Sequence, residues 1–138
     1  MGMYTELNIG VEICPTPTVV QKLNYMLGEN TEDVHIEHPL FTDSIRWKHM
    51  LLSDSYYFDG KSNSKLFIDN LHPDEPMYFL NVRCNLKNYD QEIEKFMDWL
   101  RPYIKTEGFL GYERYDDPTL IYKENGEIVY KSNQIRLL

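Results

Sequence analysis

The sequence contains no alanine and only two cysteines among its 138 residues. Alanine codons are rich in G and C, whereas the codons of the abundant Asn, Ile, Lys and Tyr are rich in A and T, so the composition indicates an AT-rich genome. Cys14 and Cys84 are too few for a disulfide scaffold, and neither belongs to a CxxC pair. Each lies in an apolar strand pattern, which predicts two buried free thiols.

Basic residues are fewer than acidic ones, 14 against 22, so the formal net charge is −8 and the pI is about 4.9. This charge argues against non-specific binding of nucleic-acid phosphates and against docking on an anionic membrane. The sequence has no apolar run of transmembrane length, and its first ten residues have neither the basic nor the apolar region of a signal peptide. We therefore expect a cytoplasmic protein.

Sequence motifs of catalysis and cofactor binding are missing as well. There is no GxGxxG, no GxxxxGK[ST] and no GxSxG, and the GxxG at residues 108–111 lacks the basic neighbours that clamp a nucleic-acid backbone. His35 and His38 stand beside Glu37, but a metal site needs further convergent ligands, so we interpret this segment as a solvated acidic loop. We expect no cofactor and no bound metal.

The apolar content is sufficient for one folded domain over residues 1–138, since 42% of residues are hydrophobic and 14% are aromatic. Residues 4–13 alternate between apolar and polar, which is typical of a half-buried strand. Thr16 is a good N-cap with Pro17 at the first helical position, and the apolar stripe that follows ends at Gly28. These signals predict a first amphipathic helix.

The rest of the chain predicts one more amphipathic helix and several strands. A loop over 29–41 is followed by a short helix over 44–51 capped by Asp43, and then by a hairpin of strands over 53–58 and 65–69. A strand over 77–86 leads to the second amphipathic helix, which Asn88 or Asp90 caps and Pro102 ends or kinks. A strand over 108–114 and a hairpin of strands over 119–123 and 127–131 complete the chain. Asn125-Gly126 between the last two strands is the strongest short-range hairpin signal.

This order of elements predicts an α+β fold, a two-layer sandwich with a mostly antiparallel sheet and two amphipathic helices on one face. A strand–helix–strand–strand–helix–strand core inside this order is ferredoxin-like, here with an added C-terminal hairpin. The sheet face away from the helices is expected to carry Glu6, Glu12, Asn81, Arg83 and Asn85. Arg83 and Arg114 would neutralise its carboxylates across neighbouring strands.

Arginine and aromatic residues together are the most suggestive feature, because they dominate the residues that contribute most to interface binding energy. Many of the aromatic residues are needed for the core, and the alternation along a strand sends only one ring of an adjacent pair outward. The candidate binding residues are Arg46, Trp47, Tyr57, Arg83, Asn85, Tyr112 and Arg114.

Several strings of the sequence resemble small uncharacterised proteins of phages and prophages from low-GC Gram-positive bacteria. The strings are RWKHML at 46–51, SDSYYF at 53–58, RCNLKNY at 83–89 and FLGY at 109–112, and the resemblance spans residues 4–122. It implies an accessory protein of a mobile element, made in the host cytoplasm. Such proteins often bind host components, including defence factors.

Three functional hypotheses follow. The first is a non-catalytic protein that binds a host macromolecule, in particular a host protein, through the arginine and aromatic residues, alone or as a homo-oligomer. The second is a small-ligand or nucleotide binder that uses the same residues as a stacking pocket. The third is a metal-dependent hydrolase that uses Glu6, Glu12 or Asp116. We expect the first, and therefore no enzymatic activity.

Overall fold

A computed structural model describes residues 3–55, 61–71 and 74–132 of the chain. Its strands are β1 (Thr5–Ile13), β2 (Lys65–Asp69), β3 (Met77–Leu86), β4 (Gly108–Arg114), β5 (Pro118–Glu124) and β6 (Glu127–Ser132). Its α-helices are α1 (Pro17–Met26), α2 (Pro39–Thr42) and α3 (Glu92–Leu100), and two 3₁₀ helices cover Arg46–Leu52 and Arg101–Tyr103.

The six strands form one antiparallel sheet in the order β2-β3-β1-β4-β5-β6. The first four strands with α1 and α3 have the topology of the ferredoxin-like split βαβ arrangement, and β5 and β6 extend the sheet beyond β4. Asn125 and Gly126 join the last two strands with φ angles of 53° and 79°, as the two-residue hairpin turn requires. The predicted fold class and C-terminal hairpin are therefore confirmed.

Helix α1 has the two ends that its sequence predicts. The Thr16 side chain accepts a hydrogen bond from the Val19 N–H at 3.3 Å, and Pro17 is the first helical residue. Gly28 has a φ of 75°, and the N–H groups of Gly28 and Glu29 donate to the last free carbonyl groups of the helix. These hydrogen bonds satisfy part of the free N–H and carbonyl groups at the two helix ends.

Helix α3 begins later than predicted, at Glu92, with Gln91 before it in the left-handed region at a φ of 59°. Asn88 still satisfies the helix start, because its Oδ1 accepts a hydrogen bond from the Ile93 N–H at 2.8 Å. The helix ends at Leu100, and Pro102 lies in the 3₁₀ helix that follows. Proline cannot supply the N–H that an α-helix would need there.

Residues 29–55 depart from the sequence prediction in three places. The predicted loop contains α2, which His38 caps by accepting from the Leu40 N–H at 3.0 Å. The helix expected at 44–51 is a 3₁₀ helix without a side-chain cap, and Asp43 instead ends α2. Residues 53–55 are not in a strand, and the rest of the strand predicted at 53–58 lies outside the described residues. Strand β2 pairs with β3.

The core lies between the sheet and the helices. Alternate residues of β1 and β3 meet there as cross-strand partners, including Leu7 with Cys84 and Ile9 with Val82, and all four are at most 3% exposed. Burial raises the pKa of the Cys84 thiol, and Asp54 adds to the shift. The prediction that Cys14 is also buried is wrong, because Cys14 is the first residue after the end of β1 and is exposed.

A buried lysine fixes the loop after α1 to the core. Lys22 is 2% exposed, and its Nζ donates to Asp33 Oδ1 at 2.8 Å and to the Val34 carbonyl at 2.7 Å. The ammonium also lies 4.1 Å from the ring centre of Trp47 and 4.4 Å from that of Phe41. The charge is thus paired and surrounded by aromatic faces, as a buried cation requires.

Candidate binding surface

The outer face of the sheet is the face opposite the helices, and it carries the alternate residues that β1, β3 and β4 do not direct into the core. Cross-strand pairing forms one row across it from Asn85 through Glu6 to Arg114, and a second row from Arg83 through Asn8 to Tyr112. We call these residues the polar cluster; they are Glu6, Asn8, Arg83, Asn85, Tyr112 and Arg114. Four of the seven predicted binding residues lie in it.

Hydrogen bonds hold the centre of the polar cluster. The Tyr112 hydroxyl donates to Glu6 Oε1 at 3.2 Å, and Asn8 Nδ2 donates to the same hydroxyl at 3.4 Å. Arg114 Nη2 lies 3.1 Å from Glu6 Oε2, which confirms the expected neutralisation of that carboxylate across neighbouring strands. The Glu6 carboxylate is therefore held from two sides by β4.

Two acceptor atoms of the polar cluster are buried without a hydrogen bond. Asn85 is 4% exposed and Glu6 is 9% exposed, yet Asn85 Oδ1 and Glu6 Oε2 have no hydrogen-bond partner among the described residues. Glu6 Oε2 forms an ion pair with Arg114 Nη2 at 3.1 Å. Glu6 Oε2 is thus ion-paired, whereas Asn85 Oδ1 is a buried acceptor without a partner among the described residues, which costs about 1–3 kcal/mol.

The other three predicted residues lie outside the polar cluster. Trp47 is a core ring, 6% exposed, that meets Phe41 edge to face at 4.9 Å, so its expected surface position is not observed. A residue type that is common in interfaces is equally common in cores, and here Lys22 and Phe41 enclose the ring. Arg46 pairs with Asp90 at 3.5 Å. Tyr57 lies outside the described residues.

Aromatic rings flank the polar cluster on the outer face, and sequence reasoning missed them. Phe67 of β2 is 41% exposed, and Phe109 of β4 is 53% exposed and meets Tyr122 at 5.5 Å. Lysines stand over two of these rings, Lys65 over Phe67 and Lys131 over Tyr122, at 4.9 and 4.5 Å. Strand alternation would have identified Phe67, because Lys65, Phe67 and the polar positions of β3 share one face.

A separate cleft of about 940 Å³ opens beside the end of β1. Residues of α1, of the start of β3 and of neighbouring loops line it, and Lys105 lies 3.8 Å from Glu12 there. Its lining includes the amide side chains of Gln21 and Asn24 and the apolar side chain of Met77. The cleft combines apolar lining with a few polar groups, as small-ligand sites do.

A carboxyl pair lies between β4 and α3, on the core side of the sheet. Burial raises the pKa of Glu113 to about 7, and the nearby Glu94 carboxylate of α3 adds to the shift. Burial also raises the pKa of the Tyr130 hydroxyl, with further contributions from Glu94, Glu113 and Asp98. Burial and the neighbouring carboxylate thus favour the protonated form of Glu113.

The structure does not bring together the residues of the hydrolase hypothesis. Glu6 and Glu12 lie six residues apart on one strand, which corresponds to about 20 Å, and Asp116 is exposed in the turn after β4. Among residues 3–55, 61–71 and 74–132, no group of three or more His, Cys, Asp or Glu side chains is placed to hold a metal ion. His35 pairs with Glu37 at 2.6 Å, and both side chains are exposed.

Comparisons with known proteins give no family for this chain. No protein-family model, no curated protein and no solved structure matches it. The described part of the chain has no helix long and apolar enough to cross a membrane. The relationship to phage proteins stays a prediction.

Proposed function

We propose that this chain is a non-catalytic binding protein that engages another protein through the outer face of its sheet. One observation carries the proposal. Four residues predicted for binding lie on β3 and β4, the two strands on either side of β1, where they flank Glu6 and Asn8 of that strand on the outer face.

The chemistry of the outer face supports a protein partner. Arg83 and Arg114 are exposed, and each lies at one end of a row of the polar cluster. The exposed rings of Phe67 and Phe109 lie further out on the same face. Arginine and aromatic side chains are enriched at the centres of protein interfaces. The outer face thus combines cations with aromatic rings in a chain whose net charge is −8.

The proposed partner is a protein of the bacterial host, and the proposed site of action is the host cytoplasm. The support is the resemblance to phage and prophage proteins together with the AT-rich composition. A mobile element gains from binding host components, and binding needs only a specific surface. The polar cluster supplies such a surface without any catalytic group.

Capture of the partner from host cells tests this proposal. Arg83→Ala and Arg114→Ala are expected to reduce recovery of the wild-type partner at least tenfold, because each removes an exposed cation of the polar cluster. Arg101→Ala is the matched control, an arginine whose Nη1 lies 3.4 Å from the Gly126 carbonyl away from that cluster. The proposal fails if both cluster variants retain every partner of the wild type, or if Arg101→Ala loses them equally.

The cleft beside Glu12 favours a second candidate function, the binding of a small ligand. Its volume of about 940 Å³ lies within the usual range of ligand sites. A bound ligand stabilises the native state by mass action, so a panel of metabolites and nucleotides is expected to contain at least one that raises the Tm. Gln21→Leu should remove that shift. A panel without any Tm increase would count against this candidate.

A further inference from the structure

The two edges of the sheet carry different side chains. Strand β2 forms one edge and β6 forms the other. The exposed residues of β6 are Glu127, Lys131 and Ser132, and charged or polar side chains of this kind discourage further pairing at an edge. In β2, by contrast, Phe67 is 41% exposed on the outer face and Ile68 is 49% exposed on the helix side. Large apolar side chains on both faces of an edge strand favour the addition of another strand.

The free side of β2 is open to such a strand. Its five residues pair with Met77 to Asn81 of β3 on one side, and within the described ranges no strand pairs with them on the other. Backbone N–H and C=O groups of an edge strand that point away from its neighbour are available for hydrogen bonds. The exposure of Ile68 shows that the helix layer leaves this edge uncovered as well.

The sequence of β2, KLFID, is complementary to itself in an antiparallel alignment. A two-fold axis at Phe67 sets Lys65 opposite Asp69 of a second copy, Leu66 opposite Ile68, and Phe67 opposite the same residue. Residues that are directly opposite in an antiparallel pair share a face and have Cβ atoms about 4.5–5.5 Å apart, so their side chains interact. The alignment therefore brings opposite charges together at both ends of the strand and apolar side chains together between them.

The charges of Lys65 and Asp69 are not neutralised within one chain. The two residues are four positions apart on one strand, about 13 Å, which is too far for an ion pair. Lys65 Nζ lies 4.9 Å from the Phe67 ring centre, and Asp69 Oδ1 accepts from the Leu71 N–H at 3.0 Å, but neither side chain has an oppositely charged partner in residues 3–55, 61–71 and 74–132. A parallel in-register alignment would set like charges opposite each other, so the charges select the antiparallel one.

We propose that two copies of this chain associate through β2, which joins their sheets into one antiparallel sheet about a two-fold axis at Phe67. An interface of this kind uses the same surface on both copies, as in most homodimers. The second copy fits this edge because it supplies the same apolar strand with its two charges in the opposite direction. Both outer faces then lie on the same side of the joined sheet. This inference does not depend on the partner proposed for the outer face.

Sedimentation velocity of the full chain tests the dimer at concentrations between about 1 μM and 1 mM. The wild type is expected to shift toward twice the 16.5 kDa mass of one chain as its concentration rises. Lys65→Glu and Asp69→Lys should each raise the dissociation constant at least tenfold, because each sets like charges opposite each other. An equimolar mixture of the two variants should regain the dimer, since opposite charges then meet at both ends of the strand pair.

A second pair of variants repeats the test on the two-fold axis. Asp69 also accepts a hydrogen bond from the turn after β2, so Asp69→Lys changes more than the charge. Phe67→Glu and Phe67→Lys avoid that turn; each alone should stay monomeric, and their mixture should dimerise. Lys131→Glu on the opposite edge of the sheet is the control and should dimerise like the wild type. A dispersed ¹H–¹⁵N spectrum of each variant establishes that it folds.

Four results would overturn the inference. They are a wild type that stays monomeric even at the highest concentration, a dimer that survives both Lys65→Glu and Phe67→Glu, mixtures of folded variants that stay monomeric, and an equal loss of the dimer in Lys131→Glu. The capture experiment with Arg83→Ala and Arg114→Ala decides the proposed function separately, because neither arginine lies on β2.

Discussion

The carboxyl pair of Glu94 and Glu113 makes the stability of this protein depend on pH. The pKa of Glu113 is raised from 4.5 to about 7, so the folded state holds a proton that the unfolded chain has released. Stability is therefore complete below about pH 4.5 and is lost as the pH rises through about 7. Each pH unit between these two values corresponds to 1.36 kcal/mol, so the titration of Glu113 can lower the free energy of unfolding by at most roughly 3 kcal/mol.

The expected loss is smaller than this limit, because Glu113 is only half-buried and water screens its interaction with Glu94. We expect the free energy of unfolding to fall by about 1–2 kcal/mol between pH 5 and pH 8 from this pair. Glu113→Gln is isosteric and cannot ionise. It should match the wild type at pH 5 and exceed its stability by about 1–2 kcal/mol at pH 8.

Urea denaturation of both proteins at pH 5, 6, 7 and 8 measures this difference. Taking the difference cancels the titrations that the two proteins share. Glu107→Gln is a suitable control, since that carboxylate is exposed. A difference between wild type and Glu113→Gln that stays constant over this pH range would refute the reasoning, and so would an equal effect of Glu107→Gln.

Three further predictions concern single positions and are measured by urea denaturation. Gly111→Ala should destabilise the fold by about 3 kcal/mol or more, because its Cβ would overlap the backbone oxygen of Asn8 on the adjacent strand. Gly111→Ser should lose at least as much stability, because it carries the same Cβ. Asp33→Ala should cost about 1–3 kcal/mol, because the buried ammonium loses its carboxylate and keeps the Val34 carbonyl and two aromatic rings. Lys22→Met should cost clearly less, because it leaves a carboxylate that is 39% exposed, and equal losses would contradict this explanation. Asn85→Leu should raise the stability of the free protein by about 1 kcal/mol, because it removes an unsatisfied buried acceptor, and a loss of that size would show that Asn85 Oδ1 has a partner.

The fold could be predicted from the sequence wherever local signals and tertiary packing agree. The alternation of β1 and β3 fixes which residues face the core, since a shift of one residue would expose all of them. The Thr16 cap, Gly28 and Asn125-Gly126 need particular backbone angles that few residues adopt. These features are encoded within a few neighbouring residues, so no knowledge of the rest of the chain is needed.

The features that were missed depend on partners far away in sequence. Lys22 lies within an amphipathic helix and would be expected at the surface, but Asp33 and two aromatic rings stabilise its burial. Trp47 is an interface-type residue that a 3₁₀ helix directs into the core. The short helix predicted over 44–51 is a 3₁₀ helix over Arg46–Leu52, a type that the pattern leaves open because three- and four-residue spacings are hard to distinguish in so short a segment.

The polar cluster was predicted in part. Strand alternation placed Arg83 and Asn85 on the polar face, and the type of residue suggested Tyr112 and Arg114. Strand order, which joins β4 to β1, was not available from the pattern, so the bonds between Tyr112, Arg114 and Glu6 could not be foreseen. The burial of Asn85 could not be foreseen either, because the alternation along a strand predicts which sheet face a side chain lies on and not how much of the side chain is exposed.

The central claim is that the outer face of the sheet binds a protein, and a photo-crosslinking amino acid tests it most directly. Benzoylphenylalanine is placed at Arg83 on the outer face in one variant and at Lys95 on α3 in another, and both are irradiated in host cells. The account predicts one discrete crosslinked protein from position 83 and none from position 95. Equal crosslinks from the two positions, or a partner crosslinked from position 95 alone, would contradict it.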